Sequence, residues 1–90
     1  MRVLFVEDSK HLRNYVAKAL RRAGYATDTA ADGEEGLEKA LSVDYDVIVL
    51  DLMLPKLDGL AVLRELRADG STTHVLILTA RTQIADRVAG

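Results

Sequence analysis

Glu7, Asp8, Asp51 and Thr79 are the residues of this 90-residue chain whose types and places could do chemistry. Each stands where an apolar run gives out. "VLFV" (Val3 to Val6) runs into Glu7 and Asp8, "DVIVLD" closes on Asp51, and "HVLILTA" ends in Thr79 and Ala80. A charge at the end of an apolar run must be paired, solvated or working. Acids gathered at one edge repel one another unless a cation or a proton joins them. An oxygen-only donor set, without cysteine, suits Mg²⁺, which keeps several waters and needs few carboxylates. The plainer reading is acids favoured by helix N-termini, or solvated strand ends. Three acids at matching strand ends weigh towards a metal site.

The elements that must bring these residues together are legible in the switching period of the apolar pattern. The continuous run Val3 to Val6 predicts a strand covered on both faces. Leu12, Val16, Ala19, Leu20 and Ala23 recur at helical spacing, with Ser9 as N-cap and Gly24 at the C-terminal end. "YATDTA" (Tyr25 to Ala30) predicts a second, more exposed strand. "DGEEGLEKALS" predicts a helix capped by Asp32, with Leu37, Ala40 and Leu41 inward. "DVIVLD" is the most apolar strand. Pro55 and Gly59 frame a loop before the helix "LAVLRELRA", "HVLILTA" is a fourth strand, and "TQIADRVAG" looks like the start of another helix. Strands alternating with short helices predict βαβ units and a parallel sheet. In such sheets working groups collect beyond the carboxyl ends of the strands.

Composition narrows the classes. Hydrophobic residues make up 49% and charged residues 29%, with a net charge of −2. That is a globular composition for one small domain, residues 1–90, and it argues against a nucleic-acid surface within the chain. No apolar run approaches the roughly 20 residues of a membrane span, and "MRVLFVEDS" reads as a strand rather than a signal peptide. A cytoplasmic location is expected.

"VLFVEDS", "DVIVLDLMLPKLDGL" and "VLILTA", in this order, make the chain resemble the receiver domain of bacterial two-component response regulators. The resemblance covers the whole chain. It implies a doubly wound α/β, flavodoxin-like fold with strand order 2-1-3-4. Asp51 would be the phosphoacceptor, attacking the phosphorus of a sensor histidine kinase's phosphohistidine or of a small phosphodonor. Mg²⁺ would be held by Asp8, Asp51 and the Met53 backbone carbonyl, with Glu7 acting mainly through water. Thr79 would hydrogen-bond the phosphoryl group and move with it, and the Leu52 and Ala80 backbone N–H groups would donate to its oxygens. The chain would assist its own phosphorylation rather than act as an enzyme. "MLPKLDG" looks most like the subclass that precedes a winged-helix DNA-binding domain, so transcription control is the expected output of a longer parent.

The family pattern also includes a fifth strand with a lysine, an aromatic switch residue and a last helix, none of which these residues match. Lys10, Lys18 and Lys39 fall on predicted helices, and Lys56 lies in the loop after Asp51. The expectation is a shortened receiver with an open fourth strand and a bare sheet face, assembling as a dimer or higher through either. An assembly module that takes no phosphoryl group is the alternative. An aspartate-nucleophile hydrolase is disfavoured by Met53, two residues after Asp51, where that class carries an acid. A dinucleotide site is disfavoured because "VEDSKH" lacks a glycine turn. His11, His74 and Arg81 read as solvated, and Phe5, Tyr15, Tyr25 and Tyr45 as core or half-buried packing.

Overall fold

A computed structural model describes residues 1–78. The order is β1 (Arg2–Val6), α1 (Lys10–Arg22), β2 (Ala26–Ala30), α2 (Gly33–Ser42), β3 (Val47–Asp51), α3 (Gly59–Ala68) and β4 (His74–Leu78). The four strands form one parallel sheet in the order β2-β1-β3-β4. Each helix starts where a side-chain oxygen can take an otherwise unpartnered N–H. Ser9 accepts from Leu12 at 3.3 Å, Asp32 from Glu35 at 2.8 Å and Asp58 from Ala61 at 2.9 Å. Glu35 in turn accepts the N–H of Ala31, the residue before the cap, at 2.8 Å.

Alternate residues of the strands face opposite sides of the sheet. Leu4, Val6, Ile48 and Leu50 join Val62 and Leu66 of α3 in the main core, and Leu37 and Ala40 of α2 pack against it. The opposite face is covered progressively less from β1 towards β4. Phe5, Val49 and Leu76 stand side by side in register. Phe5 is buried, Val49 half-buried and Leu76 58% exposed. Leu78, two residues on, is exposed on the same face.

The β2 edge is closed in a different way. Residues 26 and 30 turn their backbone groups to β1, as Ala26 N–H to Met1 O (3.1 Å) and Glu7 N–H to Ala30 O (3.0 Å) show. Thr27 and Thr29 therefore point theirs outward. Arg21 of α1 donates to Thr27 O at 2.8 Å, and Lys39 of α2 donates to Thr29 O. Two cations, one from each flanking helix, occupy the carbonyls that would otherwise invite another strand.

Three expectations change. Leu41 is exposed rather than inward, because the buried face of α2 runs through Gly36, Leu37 and Ala40 and a helix turns about 100° per residue. Tyr15 is 70% exposed. The second strand begins at Ala26 rather than Tyr25.

Candidate functional site

The β1–α1 turn and the end of β3 lie on neighbouring strands, with Val6 opposite Leu50. That register brings Glu7, Asp8 and Asp51 together, one carboxylate oxygen from each within 4.8 Å of the others. Their environments differ. Glu7 is 5% exposed, Asp8 is exposed and Asp51 is half-buried. Burial pushes the Glu7 carboxyl up from the usual glutamate value of 4.5, the Ser9 N–H pulls it back, and Asp8 and Asp51 push it up again. The Ser9 contact is 3.0 Å long and anchors the side chain.

The backbone around these acids is fixed by short bonds. Arg13 donates to the Glu7 carbonyl at 2.8 Å and the Asp8 carbonyl at 3.4 Å, drawing the turn against α1. Its signal in the sequence is an arginine one turn inside a helix that starts just after the acids. On β3, Asp51 Oδ1 accepts the Met53 N–H at 3.1 Å, and Gly59 donates to Leu52 O at 3.1 Å. A Cβ on Gly59 would lie 2.6 Å from the Asp51 carbonyl oxygen, so only glycine lets α3 start this close to the strand end.

Of the residues expected at the site, Glu7, Asp8 and Asp51 converge, and Met53 is adjacent with its side chain 66% exposed. Leu52 requires a correction. Its N–H is already taken by Leu78 O at 2.9 Å, because the β3–β4 ladder runs one residue past the strand end. A phosphoryl oxygen would have to displace that rung. Thr79, Ala80 and Arg81 lie outside the described residues. Lys56 turns to Asp32, at 3.6 Å, and Lys39 to Thr29 and Glu35. His11 and His74 are exposed.

The donor set fits a hard divalent cation: all oxygen, gathered from two strand ends, with open sides for water. Glu7, raised first by burial and then by its two acidic neighbours, is also an acid that a bound cation would relieve.

Residues 3–90 match the response regulator receiver domain family. The chain belongs to that family. It is 44% identical over 90 residues to the transcriptional regulatory protein DltR of Streptococcus agalactiae, covering all of this chain and 40% of DltR. It is 44% identical over 89 residues to the response regulator ArlR of Staphylococcus saprophyticus, again covering 40% of that protein. The chain thus spans two fifths of these relatives' length. Among solved structures, the receiver domain of Francisella response regulator 1452 superposes with a TM-score of 0.86 at 34% identity, covering 98% of this chain and 73% of that one. The response regulator TrrA of Thermotoga maritima, in complex with Mg²⁺-BeF, gives 0.83 at 36%, covering 91% and 71%. The PA1611 receiver of Pseudomonas aeruginosa, with a magnesium ion in its active-site cleft, gives 0.84 at 35%, covering 97% and 73%.

Proposed function

We propose that residues 1–90 act as one phosphoacceptor receiver unit in which Asp51 takes a phosphoryl group from a sensor histidine kinase. The observation that carries this reading is the convergence of Glu7, Asp8 and Asp51 within 4.8 Å. A carboxylate oxygen of Asp51 forms the new O–P bond. The donor's P–N bond breaks, and its imidazole leaves with a proton. Asp8, Asp51 and the Met53 carbonyl would hold Mg²⁺, with Glu7 acting through water, and the ion supplies positive charge against the phosphoryl oxygens. Glu7 is held in place by Ser9, and Arg13 fixes the turn that aims Asp8. Thr79 and the Ala80 N–H serve as phosphoryl contacts in this reading. The chain is a phosphoacceptor, not a turnover enzyme.

Relatives described as transcriptional regulators support transcription control as the output of a longer parent, and a cytoplasmic kinase partner fits the same reading. Among the described residues no helix is long and apolar enough to cross a membrane. A second reading, assembly through the β4 face without phosphoryl transfer, is favoured by the exposure of Leu76 and Leu78.

Intact mass after incubation with phosphoramidate or acetyl phosphate and Mg²⁺ separates the two. One added phosphoryl, lost with EDTA and in Asp51→Asn, supports the first reading. No adduct from either donor leaves the second.

A further inference from the structure

The loop from Leu52 to Asp58 joins Asp51 to α3, and its two ends are held differently. The root is tied to the sheet: Leu52 N–H donates to Leu78 O at 2.9 Å, and Leu52 O accepts from Gly59 at 3.1 Å. The tip folds on itself, with the Leu57 N–H donating to Pro55 O at 2.7 Å around Lys56. Lys56 sits at φ 69°, in the left-handed region, where a residue with a side chain is disfavoured. Such a conformation persists only where its surroundings over-determine it.

What determines it is the first turn of α2. The Gly33 N–H donates to Pro55 O at 3.2 Å. A Cβ on Gly33 would lie 1.7 Å from the Leu57 carbonyl oxygen, so the tip rests where any side chain would be. Asp32 Oδ2 faces Lys56 Nζ at 3.6 Å while its Oδ1 caps the helix. A donor, a gap and a counter-charge thus meet one strained turn.

We infer that Asp32, Gly33 and Lys56 are positioning residues that latch the loop after Asp51 onto α2 and so set how Met53 is presented beside Asp51. Met53 lies between the tied root and the latched tip, with its N–H on Asp51 Oδ1. Displacing the tip re-aims the Met53 peptide. The inference rests on the phosphoacceptor reading, in which the Met53 carbonyl is a cation ligand. Mg²⁺ tolerates little departure from octahedral geometry, so a small rotation there costs affinity.

The test uses the full chain with Gly33→Ala and Asp32→Asn, the latter keeping an N-cap acceptor while losing the charge facing Lys56. Gly36→Ala is the control, since its Cβ would crowd the Val6 side chain at 2.9 Å in the core. Amide resonances of Met53 and Leu57 are read by NMR without metal, then during Mg²⁺ titration, alongside thermal midpoints. Gly33→Ala should move both resonances in the metal-free protein and weaken Mg²⁺ binding about tenfold, as loss of a ligand-orienting partner does. Asp32→Asn should act in the same direction and less. Gly36→Ala should lower the midpoint and leave Mg²⁺ affinity unchanged. Wild-type Met53 resonances and Mg²⁺ affinity in Gly33→Ala, or in Asp32→Asn where Gly33→Ala does not fold, overturn the inference, as does an equal Mg²⁺ loss in Gly36→Ala. A wild-type chain that binds no Mg²⁺ defeats the phosphoacceptor reading instead, and the metal-free resonances still decide whether α2 holds the loop.

Discussion

The Tyr45 hydroxyl donates to Asp28 Oδ2 at 2.7 Å, joining the approach to β3 with β2 across the intervening β1. Arg2 of β1 meets the same oxygen at 3.2 Å and lies over the Tyr45 ring, 5.9 Å from its centre. Three strands are thus cross-tied at the end of the sheet remote from the acidic cluster.

This tie sets a pH dependence. The Tyr45 hydroxyl, and then Arg2, hold the Asp28 carboxyl below the usual aspartate value of 3.8. A lowered carboxylate contributes stability above its unfolded value and loses it as pH falls through the folded one. Burial, and then the Asp28 contact, push Tyr45 up to about 12. Its contribution is complete below pH 10 and fades as pH rises through about 12. Tyr45→Phe should therefore cost about 1 kcal/mol at pH 7, below the usual worth of a charged hydrogen bond because Asp28 is partly solvated. It should also flatten the acid limb of a stability profile measured by urea unfolding. An unchanged profile would show that the tie contributes nothing.

Glu7 has the opposite sign. Its carboxyl is raised above 4.5, so its ionised form is a penalty on the metal-free fold, relieved as pH falls through the raised value towards 4.5. The metal-free chain should gain stability over that range. Asp51→Asn, which removes one repelling charge, should stabilise it by about 1 kcal/mol at neutral pH. Mg²⁺ at a hundred times its dissociation constant should add about 2.7 kcal/mol to the wild type and far less to Asp51→Asn. Thermal melts with Mg²⁺ or EDTA read all three effects. Equal responses of the two proteins to Mg²⁺ would place the cation elsewhere.

Much of this architecture is legible in the residue pattern. The strands announce themselves as apolar runs, and Ser9 and Asp32 carry cap chemistry in their side chains, whereas the Asp58 cap emerges only with the structure. The acids could be assigned to one edge because parallel strands deliver their carboxyl ends there. What escaped the sequence depends on tertiary placement. The Leu52 N–H looks free until β4 adds one more rung to the ladder. Lys56 is a loop lysine until the α2 terminus is seen beneath it. Arg13, one turn inside the helix that follows the acids, reads as a surface residue until the Glu7 and Asp8 carbonyls are seen beside it. Tyr15 and Leu12 satisfy helical spacing, yet among the described residues α1 packs mainly on β2 and β1, and both side chains stay exposed.

The β2 edge offers a local test. Arg21 caps Thr27 O through two nitrogens, at 2.8 and 3.3 Å. Arg21→Ala should leave that carbonyl to water and cost about 1 kcal/mol. Hydrogen exchange should speed up along β2 while the central strand β3 keeps its protection, since local opening draws on local contacts. Equal acceleration in β3 would mean that Arg21 supports the whole sheet rather than its edge.

The far side of the sheet makes the contrary case. Leu76 and Leu78 are 58% and 48% exposed, and among the described residues no strand pairs with the outer edge of β4. Val75 and Ile77 point their backbone groups to that edge, since Leu78 O is bonded to Leu52 on the inner side. No cation caps them among the described residues, unlike Thr27 and Thr29 across the sheet. An apolar strand with an open edge pairs with a copy of itself when nothing closes it. The apparent mass of the 90-residue chain by light scattering should accordingly rise with concentration through the micromolar range. Leu76→Lys should hold it at the monomer mass, while changing folding stability by no more than about 0.5 kcal/mol, as expected for a surface site. A wild-type chain that stays monomeric at those concentrations removes assembly through β4, and with it the reading in which this face replaces phosphoryl transfer.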